Sequence, residues 1–245
     1  METIKLSENV TIIHGDCRDV LPVECDAVIA DPPYGMAHPC NFAGRGRSNL
    51  ASCNDWPDVD GDADPFDPAW VLAMNKPTVL WGGNWFADKL PPTSGWLVWD
   101  KERPHDLDQA TCELAWTNCV KGVRQFRHMW HGMIKASERG KSFHPTQKPV
   151  ALFAWVLALR WLADVQAVFD PYMGAGPCGV ACVRAGKRYV GVEINAGHFA
   201  TARARLEQEL RQGRLPLEFD AHNSLLDGAH PPNCSRMTKG EQPHE

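Results

Sequence analysis

The chain has 245 residues, a formal net charge of −5 and an apolar content of 44%. That length supports one substantial core, and the apolar runs are too short to cross a bilayer as helices, so no membrane partner is expected. Nine cysteines with no CxxC pair, and an N-terminus without a basic-then-apolar pattern, argue against a secreted disulfide scaffold and point to a reduced, cytoplasmic protein.

Taken in chain order, seven apolar runs predict strands at 10–16, 26–33, 78–84, 95–101, 113–118, 166–173 and 188–194. Helical patterns lie around 67–75, 149–163, 177–186 and 196–212. Strands alternating with helices predict an α/β fold with a mainly parallel sheet, whose ligand sites lie beyond the carboxyl ends of the strands. Residues 1–217 are expected to form a single domain. Within it, 35–66 is a long Gly/Asn/Asp/Pro-rich connection of the length used by active-site loops. Residues 218–245 are polar and are expected to be a flexible tail.

Charge is unevenly placed. From Lys121 to Lys148 there are seven Lys or Arg against one acid, Glu138. Six aspartates and no base lie between Asp55 and Asp67. The segment "DVDGDAD" (58–64) fails the calcium-loop pattern, because its glycine comes one place early and Ala69 stands where a bidentate Glu belongs. Cys178 and Cys182 are one helical turn apart, but without a second pair they read as buried small side chains. No metal is expected.

Two stretches carry chemistry. In "VIADPPYGM" (28–36), a buried strand ends at Asp31, and two prolines prevent it from continuing. Asp31, Pro32, Pro33 and Tyr34 are thereby presented at a strand end as a carboxylate, two rigid residues and an aromatic ring. In "FDPYMGAGPCG" (169–179), Gly174, Gly176 and Gly179 match G-x-G-x-x-G between a strand and a helix, and Glu193 ends the next strand. That pattern suits a nucleoside cofactor, with glycines admitting it and the acid bonding ribose hydroxyls. The residues alone leave a dinucleotide and S-adenosylmethionine both open.

"DPPY" (31–34), "HPTQKP" (144–149) and "FDPYMGAG" (169–176), in this order, resemble the β class of amino-group DNA methyltransferases, compact solitary phage-type members included. The resemblance runs from about Val10 to Leu206. It implies a circularly permuted Rossmann-like, S-adenosylmethionine-dependent methyltransferase fold with a seven-stranded, mostly parallel sheet. It implies catalysis by Asp31, Pro32, Pro33 and Tyr34. It implies cofactor contacts from Asp16, Asp31, His144, Thr146, Gln147, Lys148, Asp170, Tyr172, Gly174, Gly176, Glu193 and Asn195, with Lys148 set against the methionine carboxylate. "GPCG" and "EIN" depart from the family's usual residues.

Asp before Pro-Pro is typical of the family's adenine-N6 enzymes, and Ser is commoner in its cytosine-N4 enzymes. The implied reaction is methylation of adenine N6 in a base flipped out of double-stranded DNA, with cytosine N4 as the alternative. A dinucleotide-dependent oxidoreductase explains the glycine loop but not "DPPY", and a non-catalytic DNA-binding subunit has no need of it. The resemblance places target recognition in 121–143, as a small insertion. Arg124, Arg127, Lys135, Arg139 and Lys141 there, with Arg45 and Arg47 after the catalytic motif, are the expected phosphate and base contacts. A monomer or homodimer is expected.

Overall fold

The computed structural model describes residues 1–35, 61–103, 110–131, 134–138 and 147–212. All seven predicted strands form. They are β2 (Val10–His14), β3 (Ala27–Ala30), β4 (Thr78–Trp81), β5 (Trp96–Asp100), β6 (Cys112–Thr117), β10 (Ala167–Asp170) and β11 (Arg188–Glu193). The four helical patterns become α1 (Ala69–Ala73), α2 (Val150–Ala158), α3 (Pro177–Arg184) and α4 (Ala196–Gln212). Two further strands, β1 (Glu2–Lys5) and β7 (Val123–Arg127), extend the sheet at its two ends. A hairpin of β8 (Trp130–His131) and β9 (Ile134–Lys135) stands apart from it.

The sheet therefore has nine strands among the described residues rather than seven, in the order β1-β2-β11-β10-β3-β4-β6-β5-β7. Strands β2, β11, β10, β3 and β4 are mutually parallel. β6 pairs antiparallel with both β4 and β5, and β7 pairs parallel with β5. Hence β6 runs against its neighbours, and its first residues lie at the edge where the parallel strands end. β1 is the second reversed strand, antiparallel to β2.

Both faces are buried, so the inner strands are apolar throughout. On one face Ile12, Ile29, Val79, Trp81, Leu97 and Val168 pack with α2, α3 and α4. On the other, Ile13, Val28, Ala30, Leu80, Phe169 and Val192 pack with α1 and a 3-10 turn at Gly83–Lys89. Cys178 and Cys182 are buried free thiols in the first cluster.

The stretch expected to be a small recognition insertion contains the sheet's edge strand, β7. In β7, Arg124 and Phe126 turn inward while Val123, Gln125 and Arg127 stay exposed. Phe126 stacks on Trp155 of α2 at 5.3 Å between ring centroids, and the Arg124 guanidinium lies over Trp161. The period-2 pattern is masked in sequence because one inward residue is an arginine.

The two halves of the chain join where β3 meets β10. Asp26, just before β3, accepts hydrogen bonds at 2.9 Å from the backbone N–H groups of Gln166 and Ala167. These bonds hold the Asp26 carboxyl below its ordinary value. A lowered folded-state pKa stabilises the fold above the unfolded pKa, and that contribution is lost as pH falls through the folded value. Asp26→Ala should therefore lower unfolding free energy by about 1 kcal/mol at neutral pH, given the exposure of the site. The difference from wild type should shrink below about pH 4. Urea unfolding at pH 7 and pH 3 measures both.

Candidate active site

The carboxyl edge of the sheet gathers side chains from six strand ends. At the end of β3, Pro32 and Pro33 turn the chain away, and Tyr34 folds back. Its hydroxyl donates to Asp31 Oδ1 at 2.8 Å. Gly82, just after β4, makes room for the ring. A β-carbon there would lie 2.0 Å from Tyr34 Cε1, and φ is +73°. Only glycine meets both conditions at this position. The segment 61–66 packs over the same turn. Buried Asp62 accepts from the Gly35 N–H at 2.9 Å, and Phe66 meets Tyr172 edge to face.

Lys148 enters from the start of α2, and its side chain is 3% exposed. Its ammonium donates to Asp31 Oδ1 and, at 2.9 Å, to Tyr34 Oη. It also pairs with Glu113 Oε2 at 3.1 Å. Glu113 is the second residue of β6, and the reversal of that strand brings it to this edge. Its other oxygen pairs with Lys101, just past β5, at 2.5 Å. The result is a chain of alternating charge running Lys101–Glu113–Lys148–Asp31. Burial alone would raise the Glu113 carboxyl, but the ammonium groups of Lys148 and Lys101 outweigh it and hold it at about 2. Burial raises Asp31, with Lys148 opposing and Glu113 adding to the rise. Lys148 loses by burial and gains more from Asp31 and Glu113, so it stays protonated. The ammonium assigned by resemblance to a methionine carboxylate is thus held by two acids of the protein itself.

Both contacts to Asp31 fall on Oδ1. Its Oδ2 has no partner among the described residues, and the side chain remains 23% exposed. The carboxylate is tethered by one oxygen and presents the other.

A second cluster lies at the ends of β10 and β11. Glu193 accepts the Gly174 N–H on Oε2 and the Asn195 N–H on Oε1, both at 2.8 Å. This fixes the glycine loop to the neighbouring strand. Among the described residues, and apart from its chain neighbours, no atom lies within 4 Å of where a Gly174 β-carbon would sit. Ile194, beside the acid, is 54% exposed. Asp170 is buried, accepts from the Tyr189 hydroxyl at 2.9 Å and from the Tyr172 N–H at 3.2 Å, and is raised by burial to about 7.

Other expected residues have local duties. Asp16 sits one strand further along, where Gly15 N–H donates to the Glu193 carbonyl, and its carboxylate is gripped by Arg18. Asn195 accepts the Gly197 and His198 N–H groups, capping α4, which accounts for the departure in "EIN". In "GPCG", Pro177 opens α3, and a β-carbon at Gly179 would lie 2.7 Å from the Tyr189 ring. Gln147 is buried and donates to Glu138 at 3.3 Å.

The expected DNA-contact residues are dispersed over the edge strand and hairpin. Arg127 is 61% exposed but paired with Asp100 at 3.5 Å and Glu102 at 3.3 Å. Lys135 lies over the Trp130 ring at 4.3 Å. Arg45, Arg47, Arg139, Lys141, His144 and Thr146 lie outside the described residues. The same holds for most of the 35–66 connection and for the expected tail.

Two residues of this site carry no sequence signal strong enough to find them. Glu113 sits in "CELAWT" with no motif around it. Glu138 reads as a stray acid in a basic run. It accepts from Arg205 at 2.7 Å, from the Val150 N–H at 2.9 Å and from Gln147.

Comparison with known proteins bears on the fold and the family. Among solved structures, the fold is similar to the M1.HpyAVI–SAM complex, with a TM-score of 0.52 and 20% identity, over 80% of this chain and 98% of that one. It is similar also to the cytosine-N4-specific PvuII DNA methyltransferase, with a TM-score of 0.52 and 12% identity, over 84% and 91%. In sequence, the chain is 22% identical to the type II methyltransferase M2.DpnII of Streptococcus pneumoniae, over 81% of this chain and 90% of that protein. It is also 22% identical to M2.LlaDCHI of Lactococcus lactis subsp. cremoris, over 84% and 92%. The family model for N6/N4 DNA methylases matches residues 60–204, more than half of the chain, and the protein belongs to that DNA methylase family.

Proposed function

We propose that the protein methylates the exocyclic N6 of adenine in DNA, with Asp31, Pro32, Pro33 and Tyr34 as the catalytic turn. The observation that carries this reading is the tethering of Asp31 through Oδ1 with Oδ2 left open. An exocyclic amine is a poor nucleophile, because its lone pair is conjugated into the ring. Asp31 Oδ2 accepts a hydrogen bond from one N–H, and the Pro32 carbonyl accepts the other. Both favour a pyramidal nitrogen with its lone pair freed. The prolines hold these acceptors in place, so no ordering is needed at reaction. As the nitrogen gains its methyl group it loses a proton, which Asp31 is placed to receive. Tyr34, held by Asp31 and Lys148 at its hydroxyl, offers its ring edge and face to the base.

The second cluster fits S-adenosylmethionine. The open space at Gly174 admits a ligand close to the backbone. Glu193, which ties the glycine loop to β11 and faces His198 at 4.0 Å, stands at the strand end where ribose hydroxyls would bind. Exposed Ile194 provides an apolar surface for a flat heterocycle. Bound there, the cofactor supplies an electrophilic methyl group on a sulfonium. Its methionine end falls to groups other than Lys148, which is committed to Asp31 and Glu113. The Asp-first form of the turn favours adenine. Cytosine N4 is the second reading, because the PvuII enzyme carries that activity on a similar fold.

Asp31→Ala should keep cofactor affinity and slow methyl transfer to DNA by at least roughly a hundredfold. Tritiated-methyl transfer reads the rate, and mass spectrometry of digested nucleosides reads the product. N6-methyladenine is expected, N4-methylcytosine would select the second reading, and near-wild-type transfer would remove Asp31 from the chemistry.

DNA contact is assigned to the 121–143 stretch. Lys148 no longer counts toward its charge, and Arg127 is partly neutralised by Asp100 and Glu102. Arg124 is turned inward onto Trp161, so Arg127 and Lys135 carry the test: replacing both with Ala should weaken DNA binding and flatten its salt dependence, by about 0.9 in log–log slope for every phosphate that the variant leaves unneutralised. Cofactor binding should stay level. An unchanged slope in salt-titrated anisotropy would move the DNA surface elsewhere, with Arg45 and Arg47 next in line.

A further inference from the structure

We infer that Glu113 is a positioning residue for the reaction: through Lys148 it sets both the orientation and the charge of Asp31. The role rests on the methylation reading above, and it adds a residue that no sequence motif contains.

The argument starts from geometry. Lys148 is almost completely buried and touches three oxygens from two places in the fold: Asp31 and Tyr34 in the turn after β3, and Glu113 on β6. A buried ammonium is stable only when compensated. With Asp31 as its sole acid, Lys148 would neutralise that carboxylate and weaken it as a proton acceptor. Glu113 supplies a second negative charge, so the ammonium is shared. Lys101 then balances Glu113 from the far side. Two acids and two bases alternate, and only Asp31, at the open end, has an oxygen free for a substrate.

The other charged or titratable groups facing this site are few among the described residues. Tyr34 donates to Asp31. Asp170, at the end of β10, and Asp31 act on each other as like charges. Asp62, from the segment over the turn, acts on Tyr34, and Arg103, two residues past Lys101, is a further cation acting on Glu113. None of these touches Lys148 in place of Glu113. The direction of the Asp31 shift agrees with the geometry, since Glu113 adds to its rise and Lys148 opposes it.

Two variants test the link because they predict opposite signs. In Glu113→Gln, Lys148 is left wholly to Asp31 and a like charge is gone, so Asp31 should titrate lower than in wild type. In Lys101→Met, Glu113 draws more of Lys148, so Asp31 should titrate higher. Carbon-13 NMR of carboxyl-labelled aspartate in the free enzyme reads this directly, the Asp31 signal being assigned by its loss in Asp31→Asn. Loss of folding in one variant cannot produce a reversed shift in the other.

In DNA methylation, Glu113→Gln should lower kcat about tenfold to a hundredfold, with KM for DNA within about twofold of wild type. The acid limb of the kcat–pH profile should move with the Asp31 titration, and Glu113→Asp should recover part of the rate. A merely structural role would lower the melting temperature and leave the limb in place. An Asp31 titration unmoved in both variants overturns the proposal. If wild type transfers no methyl group while the titrations shift as stated, the methylation reading falls and the electrostatic link stands.

Discussion

A lysine ammonium buried under the strand ends is the constraint on which the site depends. Transferring such a charge from water costs several kcal/mol even after relaxation, and only close acids with good geometry return it. Lys148 obtains two, Asp31 and Glu113, and a phenol. Asp31 and Tyr34 come from the turn after β3, and Glu113 comes from the reversed strand. That turn, the reversed strand and the start of α2 can satisfy the ammonium only when all three are docked. The sheet edge is thus a charge-balanced junction, and removing any one member leaves an uncompensated charge.

Strand direction makes this junction possible. In an all-parallel sheet the carboxyl edge receives only strand ends and the loops after them. Reversing β6 brings a strand's beginning to that edge, and with it Glu113, opposite Trp99 of β5 and next to Lys101 beyond that strand. The register decides the rest. Trp81 pairs with Ala115, so Glu113 lies two residues past the end of β4 and clears the core. The same edge holds Gly82, whose missing side chain is the space that Tyr34 fills. Packing and electrostatics therefore fix Tyr34 from two sides, the ring by Gly82 and the hydroxyl by Asp31 and Lys148.

This also explains what was legible in the sequence. The seven strands and four helices were readable because buried parallel strands leave continuous apolar runs and amphipathic helices leave periodic ones. Asp31 and Glu193 were readable because prolines and glycines punctuate their strands. Glu113 was not, because its meaning lies in the direction of β6, which no local pattern encodes. β1 is short and mostly exposed, and β7 hides its alternation behind an inward arginine stacked on Trp161. Lys148 stood out in "HPTQKP", but its two acid partners did not. A cation seen in sequence invites an external anion, and only the fold shows that the anions are internal. Glu138 makes the same point in reverse: counted as one acid against seven bases, it joins the start of α2 to Arg205, whose guanidinium also donates to the Ala175 carbonyl in the glycine loop.

The family match begins at residue 60, after the 31–34 turn, so Asp31 and Tyr34 lie outside the matched region. Their connection to it is physical. Lys148 and Glu113 are within the matched region, and they hold Asp31. Gly82, also within it, admits Tyr34. β3 pairs with β10 and β4, which carry the glycine loop and Gly82. A turn placed by chance at the end of β3 would not be expected to find a shaped space for its ring, a shared ammonium for its carboxylate and a glycine loop on the adjoining strand. The matched region and the 31–34 turn are joined by these contacts, through charge, packing and strand pairing.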